Sequence, residues 1–162
     1  MIVNTRPSIL ANKTNELLAR SGIEFMHEPL TKILSISPSN QALEKLQQLD
    51  SYDVIIFTSQ TAAKLGAPYL QKHTSKNLNL LIMAIGLATQ RVLSEHGLVS
   101  EVPSGFNSAG LAELIEQGKH EKCLIFCGGK QPQVSFHTPV TLDTFSCYRV
   151  VDEESVELSN IT

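Results

Sequence analysis

At 162 residues, 42% hydrophobic and 18% charged, the chain is long enough for one well-filled domain, or for one domain and part of another, and is neither disordered nor fibrous. Its formal net charge of -3 leaves no basic face for a phosphate backbone, so nucleic acid is disfavoured as a partner and any anionic ligand must be met locally. No apolar run approaches the ~20 residues of a membrane span, and the N-terminus lacks a basic segment followed by a signal-type core, which predicts no membrane partner and a cytoplasmic location.

The first elements read as a short strand (MIVNT), a turn punctuated by Arg6 and Pro7, and a helix carrying Leu10, Leu17 and Leu18 on one side. Gly22 ends that helix as a left-handed cap would. A second strand spans about Ile23 to Pro29, and β-type residues continue through Ile33 to Ile36 until Pro38, a stretch long enough to leave one sheet and cross toward another. Ser39 and Asn40 open a helix bearing Leu43, Leu46 and Leu49.

Val54 to Ser59 (VIIFTS) follows, a buried-strand run that stops on two hydroxyl residues, and then a helix over Thr61 to Leu70. Leu78 to Gly86 is another apolar strand, trailed by a helix through Thr89, Val92 and Leu93 that Gly97 terminates. A short strand over Val99 to Val102, a polar turn at Ser104 to Ser108 and a helix over Leu111 to Ile115 lead to the last buried strand, Cys123 to Cys127, broken by Gly128 and Gly129. Gln131 to Thr141 contains two prolines and no helical stripe, so it reads as loop; Thr144 to Val151 is extended again, and Asp152 to Glu157 is acidic and exposed. Apolar strands alternating with helices predict an α/β fold, a parallel sheet with helices on both faces. The extended segments near 31–37 and 144–152 are placed to run side by side between two lobes.

Thr58, Ser59 and Thr61 sit where a strand hands over to a helix, so hydroxyls and free N–H groups converge with the positive end of the helix dipole. Such residues often only cap the helix. Here the feature recurs, at Gly86, Ala88 and Thr89 and again at Ser104 to Ser108, and turns leaving one parallel sheet lie along one edge. A row of neutral donors suits a ligand with several anionic groups.

Other chemistries find less support. Gly128, Gly129 and Lys130 lack the upstream glycine and the following Ser or Thr of a phosphate loop; G-x-G-x-x-G is absent; and the strand ends carry no acidic residues for phosphate reception. The five histidines are scattered singly, without metal-ligand spacing. The three cysteines, Cys123, Cys127 and Cys147, are an odd set without paired spacing, which predicts reduced thiols, and Cys123 and Cys127 share a strand face with Ile125. Tyr148, one of three tyrosines, is either a half-buried strand aromatic or a phenol held at the hinge between lobes, able to donate one hydrogen bond.

VNTRP at 3–7, the helix ending at Gly22 with a strand to Pro29, YDVIIFTS at 52–59, AIGLATQRVL at 84–93, PSGFNSAGLAELI from 103 and CYRVV from 147, taken in their order and spacing, resemble uroporphyrinogen-III synthase. The resemblance implies two flavodoxin-like α/β lobes joined by a two-stranded linker: residues 1–32 as the opening piece of lobe one, 38–146 as lobe two, and 147–162 as the return strand and tail. It implies cyclisation of hydroxymethylbilane to uroporphyrinogen III, with loss of water and inversion of the last pyrrole ring. An electron-rich pyrrole expels the hydroxyl with little help, so folding the substrate is the main task, and neither cofactor nor metal is called for. Residue by residue it implies Tyr148 as the catalytic hydrogen-bond donor to the leaving group, carboxylate-binding turns at Thr58 and Ser59 and at Ala88 and Thr89, and Arg6 as an ion-pair partner.

Against the family pattern, the strand and helix units expected after Tyr148 to complete lobe one are missing, with their second FTS-like strand end, and the Pro132 and Pro139 segment replaces a helix after Gly129. The chain therefore reads as shortened, with an incomplete lobe one whose apolar surface favours a homodimer. The expected partners are the bilane substrate and the upstream bilane-forming synthase. A non-catalytic tetrapyrrole-binding module of the same fold is the competing reading; an unrelated flavodoxin-like domain is disfavoured by the glycine-free Arg6-Pro7-Ser8 turn.

Overall fold

The structure, a computed structural model, describes residues 1–74, 80–105, 107–129 and 135–153. The chain divides into two compact units, Met1–Leu34 with the strand residues from Arg149 onward, and Ser35–Tyr148.

In the smaller unit β1 (Ile2–Asn4) pairs in parallel with β2 (Phe25–His27), and α1 (Ser8–Arg20) connects them. Gly22, at φ +65°, ends α1 as expected: the Gly22 N–H donates to Ala19 O and the Ile23 N–H to Leu18 O, the paired bonds of a left-handed cap. The next strand is β3 (Thr31–Ser35), so the long extended stretch is two short strands with a break at Glu28–Leu30. Asn4 is buried at the end of β1; its amide donates to Asn15 Oδ1 at 2.6 Å and its carbonyl oxygen accepts the Arg6 N–H at 3.2 Å.

The larger unit runs α2 (Asn40–Gln47), a single 3-10 turn, β4 (Val54–Phe57), α3 (Gln60–His73), β5 (Leu81–Ala84), α4 (Leu87–Glu95), α5 (Ser108–Gln117), β6 (Lys122–Gly128) and β7 (Thr141–Asp152), which passes out of the unit after Tyr148. The strand order is β7-β6-β4-β5, and every pairing is parallel. Period-two alternation sorts the strands onto two cores. Ile55, Phe57, Leu124, Phe126 and Phe145 face Leu46 of α2, Ala63, Ala67 and Leu70 of α3, and Leu93 of α4. Val54, Ile56, Cys123, Ile125 and Cys127 face Leu111 and Ile115 of α5 on the other side. The expected α/β sheet with helices on both faces is therefore present, and the two cysteines share a face with Ile125.

Several expectations need correction. Val99 to Val102 is not a strand: only Glu101 forms a parallel bridge, to Met83, and Val99 is 91% exposed. The strand expected over Leu78 to Gly86 is Leu81–Ala84, with residues 78 and 79 outside the described set. Gly128 does not break β6 but belongs to it. The extended segment expected over Thr144 to Val151 is present as part of β7, which begins earlier, at Thr141, where a loop was expected, and lies along β6 with Phe145 completely buried. Its mixed polar and apolar pattern conceals the start of the strand, since β-strand identity depends on neighbours distant in sequence. The two extended segments do lie beside one another, β3 being the neighbour of β7. Lys130 and residues 131–134 and 154–157, covered by the loop and tail expectations, lie outside the described residues.

Candidate functional site

In the larger unit the chain leaves β4 toward β5 on one side and leaves β6 toward β7 on the other. Connections that diverge from adjacent parallel strands open a crevice at their C-terminal ends, the position where open α/β sheets receive ligands. Here those ends are Phe57-Thr58-Ser59 and Phe126-Cys127-Gly128.

Ser59 is the N-cap of α3, its Oγ accepting the Ala62 N–H at 3.0 Å. The same Oγ lies 3.1 Å from the Tyr148 phenol oxygen, so two residues 89 apart in sequence meet at the C-terminal ends of β4 and β6. Tyr148 is half-buried, its ring lying against Gly128, where a Cβ would stand 2.9 Å from Cε2 and 3.0 Å from Cζ. Thr58 has a different place: its Oγ1 donates to the Phe126 carbonyl at 3.2 Å, and its N–H donates to the same oxygen. Thr58 thus ties the end of β4 to β6.

The second turn precedes α4, whose N-cap is Gly86. Ala88 is exposed in the first turn, while Thr89 is 3% exposed, its N–H donating to Gly86 O. Asn107 caps α5 by accepting the Gly110 N–H at 2.8 Å, and because Glu101 runs parallel to β5, α5 also begins at the C-terminal edge. The helix N-termini, each with N–H groups that lack intrahelical partners, therefore line one edge of the sheet. Arg6 belongs to the other unit, where it is exposed, its guanidinium donating to Thr14 Oγ1 at 3.2 Å and its carbonyl oxygen lying 2.9 Å from His27 Nε2.

No group of residues among those described could hold a metal ion. Burial raises the thiols of all three cysteines, Cys123 and Cys147 to about 12, so they are protonated packing groups rather than nucleophiles. At the opposite, N-terminal edge, Tyr52 donates to Asp143 Oδ2 at 2.8 Å, and Lys45 Nζ lies 3.5 Å from Asp143 Oδ1. Burial, then that hydrogen bond, pushes the Tyr52 phenol upward. This cluster joins α2 and the residue stretch before β4 to β7.

The residue that sequence reasoning missed is Gly128. In the sequence it reads as a strand breaker and as part of a poor match to a phosphate loop, whereas its missing side chain is the space the Tyr148 ring uses. The glycine itself was the available signal, since a glycine inside a strand often marks close approach.

A family model described as uroporphyrinogen-III synthase HemD matches residues 12–137. A candidate uroporphyrinogen-III synthase of Methanothermobacter thermautotrophicus is 30% identical over 113 residues, covering 68% of this chain and 44% of that protein. Among solved structures, a mutant uroporphyrinogen III synthase of the extremely thermophilic bacterium Thermus thermophilus superposes with a TM-score of 0.66 at 16% identity, over 94% of this chain and 63% of that one. The wild-type enzyme in a second crystal form gives 0.56 at 17% identity, over 94% and 62%. The chain thus spans less than half of the curated relative and less than two thirds of the solved ones. The solved structures establish the fold, the family model covers most of the sequence, and the chain belongs to the uroporphyrinogen-III synthase family.

Proposed function

We propose that this chain cyclises hydroxymethylbilane to uroporphyrinogen III, a lyase reaction of tetrapyrrole and haem biosynthesis. Two carbon–carbon bonds form and one breaks: the carbon that carried the hydroxyl joins the substituted α-carbon of the last ring, the bridge from the preceding ring passes to that ring's free α-carbon, which inverts it, and the hydroxyl leaves as water with the proton of that carbon. The observation that carries this reading is the Tyr148 phenol, 3.1 Å from Ser59 at the C-terminal ends of β4 and β6. Placed there, it donates a hydrogen bond to the departing hydroxyl. The turns at Thr58 and Ser59 and at Ala88 and Thr89 bring the free backbone N–H groups of the α3 and α4 N-termini, rather than the Ser59 hydroxyl, to substrate carboxylates, and Arg6 is the ion-pair partner. The substrate arrives from the bilane-forming synthase that precedes this step. The reading uses no cofactor and no metal.

The test is the isomer of uroporphyrinogen formed from hydroxymethylbilane with the chain present. Type III product above the spontaneous type I background supports the enzyme. Type I alone, with the chain still binding product, supports a tetrapyrrole-binding module of the same fold instead. Tyr148→Phe is expected to lower type III formation at least about tenfold; unchanged formation removes the phenol from the mechanism.

A further inference from the structure

Tyr148 reaches Ser59 through an irregularity in β7. The register pairs Phe126 with Phe145 and Cys127 with Ser146, but Gly128 with Tyr148, so Cys147 is an extra residue on β7. A regular strand alternates faces and would turn Tyr148 to the side of Ser146, away from Phe145. The extra residue resets the alternation. Cys147 and Tyr148 both pack on the core layer that holds Phe57, Phe126 and α3.

The hydrogen-bond inventory then limits what Ser59 does. A serine hydroxyl has one proton and two lone pairs, and a phenol has one proton. Ser59 Oγ already accepts the Ala62 N–H, which fixes it at the positive end of α3. When its single proton goes to the Tyr148 oxygen at 3.1 Å, the phenol proton is left free to face a ligand. Each bond in such a chain polarises the next.

We propose that Ser59 is a positioning residue for Tyr148 rather than a carboxylate ligand: held by the α3 cap, it donates to the phenol oxygen and turns the phenol proton toward the leaving oxygen. The proposal rests on the reading of Tyr148 as donor to that oxygen. Gly128 and the extra Cys147 supply the space and the orientation.

The experiment labels tyrosine Cζ with carbon-13 in the full chain and assigns the Tyr148 resonance through Tyr148→Phe. It then compares Ser59→Ala, Ser59→Thr and Ser59→Asp. Aspartate keeps a cap acceptor for Ala62 but, ionised, has no proton to give, which separates donation from helix capping. The Tyr148 resonance is expected to move in Ser59→Ala and Ser59→Asp, to stay in Ser59→Thr, and the Tyr52 and Tyr69 resonances to stay in all. In the type III assay, Ser59→Ala and Ser59→Asp are expected to lower kcat about tenfold with KM within about twofold, and Ser59→Thr to retain activity. A Tyr148 resonance unmoved by Ala and Asp overturns the proposal, as does a raised KM at constant kcat, which would make Ser59 a direct ligand. If no type III product forms, or Tyr148→Phe leaves it intact, the functional reading fails, and the resonance still decides whether Ser59 holds Tyr148.

Discussion

Gly128 and Tyr148 share one small volume, and the glycine concedes it. An added Cβ would press on the Cε2, Cζ and Oη end of the ring, which can swing outward, so Gly128→Ala is expected to cost within about 1 kcal/mol of stability. The swing breaks the bond to Ser59. Type III activity is therefore expected to fall to the level of Ser59→Ala while the urea midpoint hardly moves; an equal loss of both would mean that Gly128 serves folding alone. At this scale the sequence was informative about residue type but not about partners. Two hydroxyls ending a strand mark a helix start with spare donors, which is a local property. That Thr58 gives its hydroxyl to Phe126 while Ser59 meets Tyr148 depends on residues 68 and 89 positions away.

The elements that were legible carry their cause within a few residues. β4 and the Cys123 to Cys127 stretch of β6 are uninterrupted apolar runs, and α1 and α4 end where Gly22 and Gly97 adopt φ +65° and +71°. The marginal elements are legible only in part, because Val99 to Val102 has β-type residues but one bridge, and β7, extended from Thr144 as expected, starts at Thr141. Gly66 shows how packing overrides propensity. Replacing a mid-helix glycine by alanine ordinarily gains about 1 kcal/mol. In α3, however, the new Cβ would clash with Phe126 Cδ1 and stand 3.1 Å from Cys147 Sγ. Phe126 cannot yield, being stacked at 4.5 Å on Phe57 and held at 4.8 Å in a tilted contact with Phe145. Gly66→Ala is expected to destabilise by about 1–3 kcal/mol in urea unfolding. A gain would show that α3 can lift from the sheet.

For the whole molecule the buried thiols set an alkaline limit. Burial raises Cys123 and Cys147 from 9.0 to about 12, with Asp53 adding to the first and Cys127 to the second, and burial raises Cys127 as well. A raised folded value means that their contribution is complete below pH 9 and is lost as pH climbs toward 12. The urea midpoint is expected to hold to about pH 8.5 and to fall steadily above it, with a shallower fall in Cys147→Ala. On the acid side, Asp53 is held low by the Lys122 N–H and then the Glu121 N–H. Its contribution is present above the ordinary carboxylate range and is lost as pH falls through its own lower value.

The smaller unit leaves Ile2, Ile9, Leu17 and Ile23 exposed around a two-stranded sheet. Such a sheet is marginal by itself. We expect self-association to cover it, read as a dimer by light scattering. A monomer with β1 well protected in hydrogen exchange would overturn that expectation.

The sequence by itself determined the order and kind of the main elements, the parallel α/β class, the caps and the family resemblance, since apolar periodicity and glycine or hydroxyl punctuation act over a few residues. The tertiary structure decided which face Tyr148 takes, what Ser59 and Thr58 bond to, and that β7 starts at Thr141 and lies along β6. These follow from pairing register, and a single extra residue at Cys147 reverses the side on which a phenol emerges.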